Sequence, residues 1–530
     1  MEDTSFLFAG LKFDRKKFPK DFQLFKVKKE ENNLEAEARS VGIVEIEPKG
    51  NKTSKKRKRK GAAAGLVEGF NIFKSANTIL EGDASAEAKD EFSEKRKEVF
   101  RQIERDQLLR KEHNIHISGS NVPSPLQSFE DLIARYKCKP YLLLRNFAEL
   151  GYKEPTSIQR QAIPVLLSGR ECFACAPTGS GKTLAFICPI LMKLKHGMKG
   201  GVRAVVLCPT RELAAQTTRE CKKLAQGKKF SIKLMTKELA KTADFSKLPC
   251  DVLISTPLRL EYAISKRKLD LTRVEFLVLD ESDKLFELGF VKQIDFVVKA
   301  CSNPSIIRSL FSATLPDTVE DLARTLMHDA VRIIVGRKNT ASASVKQKLV
   351  FAGSEEGKFL ALRQSFAESL NPPVLIFVQS KERAQELYRE LLFTDLKVDV
   401  VHTDLPQAQR ENAVDNFRAG ITWVLIATDV VARGMDFKGL NCVINYDFPD
   451  SASTYIHRVG RCGRAGRQGE AITLYTEEDV PFLRNIGNVM MQSGCEVPSW
   501  IMSMRKTKWK RHTPHRDSIS VGRNDGRVED

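Results

Sequence analysis

Two stretches of this chain combine residue types and spacing suited to phosphoryl transfer. Ala176-Pro177-Thr178-Gly179-Ser180-Gly181-Lys182-Thr183 follows a strand-like apolar run, Glu171 to Ala176, and precedes a helix-like one. In that order Gly179 and Gly181 let the backbone approach a polyphosphate, while successive N–H groups and the helix N-terminus face the anion. Lys182 then reaches the β- and γ-phosphates, and Thr183 gives its hydroxyl to Mg²⁺. The general pattern starts with Gly where this chain has Ala176, so the strand–loop–helix order carries the reading. Further along, Phe276-Leu277-Val278-Leu279 reads as a buried parallel strand running into Asp280-Glu281-Ser282-Asp283. Parallel sheets bind ligands at the carboxyl ends of their strands. Asp280 is therefore expected to hold Mg²⁺ through water, and Glu281 to orient and deprotonate an attacking water. An acidic turn would explain these carboxylates alone; beside a phosphate loop they point to nucleoside triphosphate hydrolysis.

Positioning such groups takes parallel sheets, and the chain supplies two alternating regions. From Phe129 to Val335, apolar segments at Ala204–Leu207, Val252–Ser255, Phe276–Leu279 and Leu310–Ser312 alternate with helical stretches, which predicts an α/β domain. The polar, small-residue segment Gly336–Ser344 separates it from a second region with strands at Val374–Val378, Val398–His402, Val424–Ala427, Cys442–Asn445 and Ala471–Tyr475. The second region has no phosphate loop. The expected organisation is an arm over 1–113, a nucleotide-binding domain over 114–337, a second domain over 338–483, and a helical segment with basic tail over 484–530. The arm mixes charge and small residues as disordered segments do. It holds the basic run Lys55-Lys56-Arg57-Lys58-Arg59-Lys60, suited to nuclear import or phosphate contact, and a stretch over 91–112 compatible with one amphipathic helix that docks a partner or packs on the core. The tail, Arg505 to Arg511 with Trp509, suits contact with RNA by charge and stacking, or plain solvation.

Composition narrows the class. The chain has 530 residues, more than one core accommodates, and a formal net charge of +19, which favours a polyanionic partner. Its N-terminus lacks a basic-then-apolar signal pattern, and no run is long and apolar enough to span a bilayer, so no membrane role is expected. The eleven cysteines read as reduced thiols. Cys172 and Cys175 form a CxxC, but residues three apart on a strand face opposite ways, which argues against a metal pair.

Over Phe129 to Pro481 the chain resembles the DEAD-box ATP-dependent RNA helicases. The elements that carry the likeness stand in family order: Gly151-Tyr152 through Pro155-Thr156 to Ile158-Gln159, the loop at 176–183, Pro209-Thr210-Arg211-Glu212-Leu213-Ala214, and Asp280–Asp283. Ser312-Ala313-Thr314, Ile376 to Ser380, Gln407 to Arg410, Thr428-Asp429 through Ala432-Arg433-Gly434 to Asp436, and Tyr455 to Arg464 follow. The resemblance implies two RecA-like parallel-sheet domains in tandem, flexible N- and C-terminal extensions, a monomeric core, and ATP with Mg²⁺. By position, Gln159 resembles the residue that pairs with adenine's N6/N7 edge, Phe129 the aromatic that stacks on the base, and Asp436 the ribose contact. Arg461 and Arg464 resemble the arginine fingers delivered from the second domain to the γ-phosphate. Ser312, Thr314 and His457 resemble the groups coupling hydrolysis to RNA. Thr210, Arg211, Thr256, Arg259, Gln379, Thr428 and Arg433 resemble a track along the RNA sugar-phosphate backbone. The chain departs from the family at Ser282, usually Ala, and at Leu258, commonly Gly, and it lacks a paired glycine near Met235–Glu238.

Within the family, Asp280 to Glu287, Ala432 to Gly439 and Asn371 to Ser380 are similar to a nucleolar, Rok-type subgroup acting in small-ribosomal-subunit assembly, as is the approach from His113 to Phe129. That finer likeness implies pre-rRNA as substrate, ribosome-assembly proteins as partners, and residence in the nucleus and nucleolus. Two rivals use the same parts: a DNA-directed translocase, and an ATP-switched RNA clamp or scaffold in which hydrolysis only resets binding.

Overall fold

The computed structural model describes residues 86–136, 141–194, 201–242, 244–245, 248–266, 269–342, 344–369, 371–394, 396–432, 437, 439–463, 467–505 and 519. The basic run at 55–60 and the tail from Lys506 to Arg511 lie outside them. Apolar segments buried on both faces need covered parallel sheets, and two such sheets form. The strands of the first are β1 (Ile115–Ser118), β2 (Cys172–Cys175), β3 (Ala204–Leu207), β4 (Ile232–Leu234), β5 (Val252–Ser255), β6 (Phe276–Leu279), β7 (Ile307–Ser312) and β8 (Val331–Val335), in the order β1-β8-β2-β7-β6-β3-β5-β4. All pair in parallel except β1, which runs antiparallel to β8 with Ile115 opposite Val335. The second sheet comprises β9 (Val345–Gly353), β10 (Val374–Val378), β11 (Val398–Val401), β12 (Val424–Thr428), β13 (Cys442–Asn445) and β14 (Gly469–Thr476), all parallel, in the order β11-β12-β10-β13-β14-β9.

Alternation along β2 divides the first domain's core. Cys172 and Ala174 join the cluster containing Phe186 and Phe311, while Phe173 and Cys175 join the one containing Leu253 and Leu277. The CxxC thiols thus lie on opposite faces of the sheet, and burial pushes the Cys175 thiol up to about 12. The strands the sequence does not announce are short or carry charged residues among apolar ones: β1, β4 and β9 as edge positions permit, and β8, next to the edge, with Arg332 paired to Glu320. Strand β7 begins earlier than its apolar run because Arg308 is neutralised by Glu171, 3.1 Å away.

Two expectations need correction. The helix foreseen over 91–112 forms, from Ala86 to Glu112, but it does not lay an apolar stripe on the core: Val99, Phe100, Ile103 and Leu108 are exposed. With about 3.6 residues per turn, Val99 and Leu108 fall on opposite sides of the helix, so no single stripe exists. Its C-terminal turn is tied instead by Arg110, whose Nε donates to Gln161 Oε1 at 2.9 Å. The segment set apart from residue 484 is also integral to the second domain, since Leu483, Ile486, Met490 and Ile501 share one core with Leu375 and Phe377.

Fully buried charge fixes the loop after β10. Asp447 accepts from Arg383 Nε at 2.8 Å and Nη2 at 2.6 Å and from the Gln379 backbone N–H at 2.8 Å, and Glu355 completes the network by accepting from Arg383 and from Lys358. Replacing Asp447 by Asn leaves two buried cations undercompensated. We expect a loss of about 3–5 kcal/mol in the second domain, read as a lowered transition in calorimetry of the full chain.

Candidate active site

Five adjacent strands of the first sheet, β2-β7-β6-β3-β5, deliver their C-terminal loops to one edge. These carry the phosphate loop, Ala313–Thr314, Asp280–Asp283, Thr210 and Thr256, which the chain separates widely. Backbone bonds align the ends: Ala176 N–H donates to Ser312 O at 3.1 Å, and Asp280 N–H to Leu207 O at 2.9 Å.

Gly179 and Gly181 have positive φ, 77° and 87°, which residues with a Cβ rarely adopt. A Cβ at Gly181 would also lie 2.3 Å from Gln159 Nε2. Gln159 fastens the loop: its Oε1 accepts from Thr156 N–H at 3.0 Å and its Nε2 donates to Gly181 O at 3.0 Å. One lone pair and one N–H remain on that amide, the set a bidentate pair with adenine uses. Phe129 lies 4.8 Å from the Phe147 ring and is only 6% exposed, so one part of it is committed to the core. Lys182 Nζ donates to Ala176 O at 2.7 Å and Pro177 O at 2.9 Å; burial lowers its pKa against the opposing pull of Asp280, Asp283 and Glu281. Thr183 follows it in the first helical turn.

Asp280 is 3% exposed, and burial, reinforced by Glu281 and opposed by Lys182, pushes its carboxyl up to about 7. Glu281 starts the Ser282–Glu287 helix in a left-handed conformation, φ 47° and ψ 52°. Such a backbone costs a non-glycine residue about 1–2 kcal/mol, a pattern that concentrates at functional sites. Its Oε2 is buried without a hydrogen-bond partner, as is Ser180 Oγ. A carboxylate raised by burial, a second with an orphaned oxygen, and the Thr183 hydroxyl form an oxygen donor set that fits a hydrated Mg²⁺. Ser282 is fully buried, so only a small side chain fits there.

The second domain meets this edge directly. Burial alone would raise the Asp283 carboxyl, but His457, Lys284 and Thr314 hold it well below the usual carboxylate range. It accepts at Oδ2 from Thr314 N–H at 3.0 Å, Thr314 Oγ1 at 2.6 Å and His457 Nε2 at 2.9 Å. An ionised carboxylate only accepts, so Nε2 carries the proton. His457 Nδ1 has no hydrogen-bond partner, which suits a neutral ring, the form burial favours. Thr314 Oγ1 also lies 3.2 Å from Ser453 Oγ, while Ser312 Oγ donates to Thr314 O at 2.6 Å. Arg461 stands 3.9 Å from Glu281 Oε1, its Nε donating to His457 O at 3.2 Å. Thr178 Oγ1 donates to Gly460 O at 3.1 Å. Arg410 Nη1 donates to Glu212 Oε1 at 2.6 Å, a cross-domain ion pair the sequence left unseen although Arg410 and Glu212 both lie in recognised motifs.

Along the same edge Thr210 caps its helix by accepting from Leu213 N–H, and Arg259 donates to Met235 O at 2.8 Å. Burial and then the nearby Arg211 lower the Arg259 pKa, which marks two guanidiniums close together. Thr256 caps the Pro257–Ser265 helix without a side-chain bond, exposed Gln379 begins the loop after β10, and Thr428 ends β12. Leu258 is 55% exposed on this track. Arg433, Asp436 and Arg464 lie outside the described residues.

At Gly460 the second domain's backbone meets the phosphate loop. A Cβ there would lie 1.8 Å from Thr178 Oγ1 and 3.0 Å from Ile456 O. Gly460→Ala should therefore block domain closure and cut RNA-stimulated ATP turnover by about tenfold or more, roughly 1.4 kcal/mol, with ATP binding to the RNA-free protein retained. Steady-state ATPase and nucleotide binding measure the two.

Residues 156–322 match the DEAD/DEAH box helicase family and residues 357–466 the helicase conserved C-terminal domain. The chain is 65% identical over 530 residues to DEAD-box ATP-dependent RNA helicase 57 of Oryza sativa subsp. japonica, covering 98% of both proteins. It is 47% identical over 410 residues to ATP-dependent RNA helicase ROK1 of Eremothecium gossypii, covering 75% of this chain and 72% of that protein. Among solved structures, S. cerevisiae Dbp5 bound to RNA and ADP BeF3 superposes with a TM-score of 0.62 at 29% identity, covering 70% of this chain and 94% of Dbp5. With two RecA-like sheets bringing a phosphate loop, a carboxylate box and a cationic second-domain helix to one seam, the chain belongs to the DEAD-box ATP-dependent RNA helicases and is an RNA-stimulated ATPase.

Proposed function

We propose that this ATPase remodels pre-ribosomal RNA duplexes and RNA–protein contacts during small-subunit assembly in the nucleolus, alongside ribosome-assembly proteins. The observation that carries the enzymatic part is the seam itself, where Glu281, Asp283 and Thr314 of one domain meet His457 and Arg461 of the other. Lys182 and the loop N–H groups bind the β- and γ-phosphates of ATP. Thr183 and Asp280 would hold Mg²⁺, which would neutralise phosphate charge. Glu281 takes the proton of the attacking water, and Arg461 with Arg464 stabilises charge on the γ-phosphoryl group. Gln159 and Phe129 read the base, and Asp436 the ribose. RNA lies along Thr210, Arg211, Thr256, Arg259, Gln379, Thr428 and Arg433, so the track must assemble from both domains. Ser312, Thr314 and His457 tie the two events together.

The biological part rests on the likeness of 280–287, 371–380 and 432–439 to the Rok-type subgroup, with the similarity to ROK1 in support. Glu281→Gln keeps size and hydrogen bonding but loses the base. Turnover should fall by about 10²-fold or more, with RNA held longer in the presence of ATP; release as fast as the parent's refutes the assignment. ATPase and unwinding assays with RNA and DNA substrates side by side test the choice of polymer. In cells, neutralising Lys55 to Lys60 should move the protein toward the cytoplasm without changing its ATPase in vitro. Glu281→Gln as the only copy should reach the nucleolus and impair small-subunit rRNA maturation, and normal maturation would defeat the ribosomal reading.

A further inference from the structure

Beside the Asp283–His457 pair lies a second polar junction across the domain seam. Lys284, fully buried, is ion-paired with Glu287 one turn along the same short helix. Its Nζ lies 3.4 Å from Thr454 Oγ1, and Ser451 Oγ lies 3.4 Å from Glu287 Oε1. Ser451 is the N-cap of the second domain's Ala452–Val459 helix, its hydroxyl accepting from Thr454 N–H at 3.0 Å. That helix carries His457, and Arg461 lies just past its C-cap, Gly460. The partial positive charge of a helix N-terminus favours an adjacent carboxylate. An ion pair of this kind loses hydration when the seam closes, so its energy depends on both charges being present together.

We propose that Glu287, held by Lys284, completes the N-terminal cap of the Ala452–Val459 helix from the opposite domain, and that this cross-domain cap sets the position at which Arg461 meets the ATP site. Lys284 and Glu287 are positioning residues; neither contacts the reacting atoms. Closure is then sensed at the start of the helix as well as at His457. Removing one charge strands its partner in the closed seam while leaving the open protein nearly unaffected. Removing both restores electrical balance at some loss of orientation.

The inference rests on the assignment of Arg461 above, so Arg461→Ala serves as the reference variant in full-length protein with RNA. Glu287→Gln should lower kcat of RNA-stimulated ATP hydrolysis by about tenfold, while ATP affinity without RNA stays at the parent's value. Lys284→Met should do the same. The double variant Lys284→Met/Glu287→Gln should recover to within about threefold of the parent, because paired charges couple strongly and additivity fails between contacting residues. Single variants with parental kcat, or a double variant whose loss equals the product of the two single losses, would overturn the cap. Parental turnover in Arg461→Ala would instead remove the catalytic reading on which the cap depends.

Discussion

One carboxylate organises the seam between the two domains. Asp283 accepts both Thr314 groups from its own domain and the His457 imidazole from the other, all at Oδ2. Buried without these donors, the charge would be untenable. With them, the loops after β6 and β7 are locked to each other and to the second domain's helix. The groups proposed for catalysis are all placed relative to that point. Glu281 lies two residues before it, Arg461 four residues beyond His457, and Ser453 reaches Thr314 from the same helix.

Around this fixed point the site stores several tensions that a purely structural edge would avoid. Glu281 sits in a left-handed backbone, and its outer oxygen is buried without a partner. Asp280 is driven toward neutrality by burial, while Lys182 is driven the same way from the opposite charge. Each group is therefore less satisfied than ordinary side chains are. Their common remedy is a polyphosphate with its cation, whose charges match both groups at once.

How much of this was legible in the sequence depends on how local each feature is. The phosphate loop and the carboxylate box are contiguous, so their residue types carry their chemistry, and continuous apolar runs such as Val252–Ser255 announced buried strands. Strands with charged residues, such as β9, did not, because edge positions tolerate lysine. The Asp283–His457 and Glu212–Arg410 contacts join residues 174 and 198 positions apart, and no local pattern encodes such distances. Thr314 and His457 were picked out only through family likeness. Over 91–112 the sequence shows the helix but not its surroundings: packing on the core fails because Val99 and Leu108 face opposite ways and stay exposed.

Strand β1 has a mechanical consequence. Its antiparallel pairing with β8, extended by the Gly336 N–H donating to Asn114 O at 2.9 Å, brings the entrance and the exit of the first domain together. The chain beyond that exit is pinned at both ends: Asn339 Oδ1 accepts from Leu315 N–H at 2.7 Å, and Ala341 N–H donates to Ser493 Oγ at 3.0 Å. Tension between the Ala86–Glu112 helix and the interdomain connection would therefore peel β1 from β8 at their shared end, without crossing the ATP-binding edge. An anchor gripping that helix would be tugging on the interdomain connection.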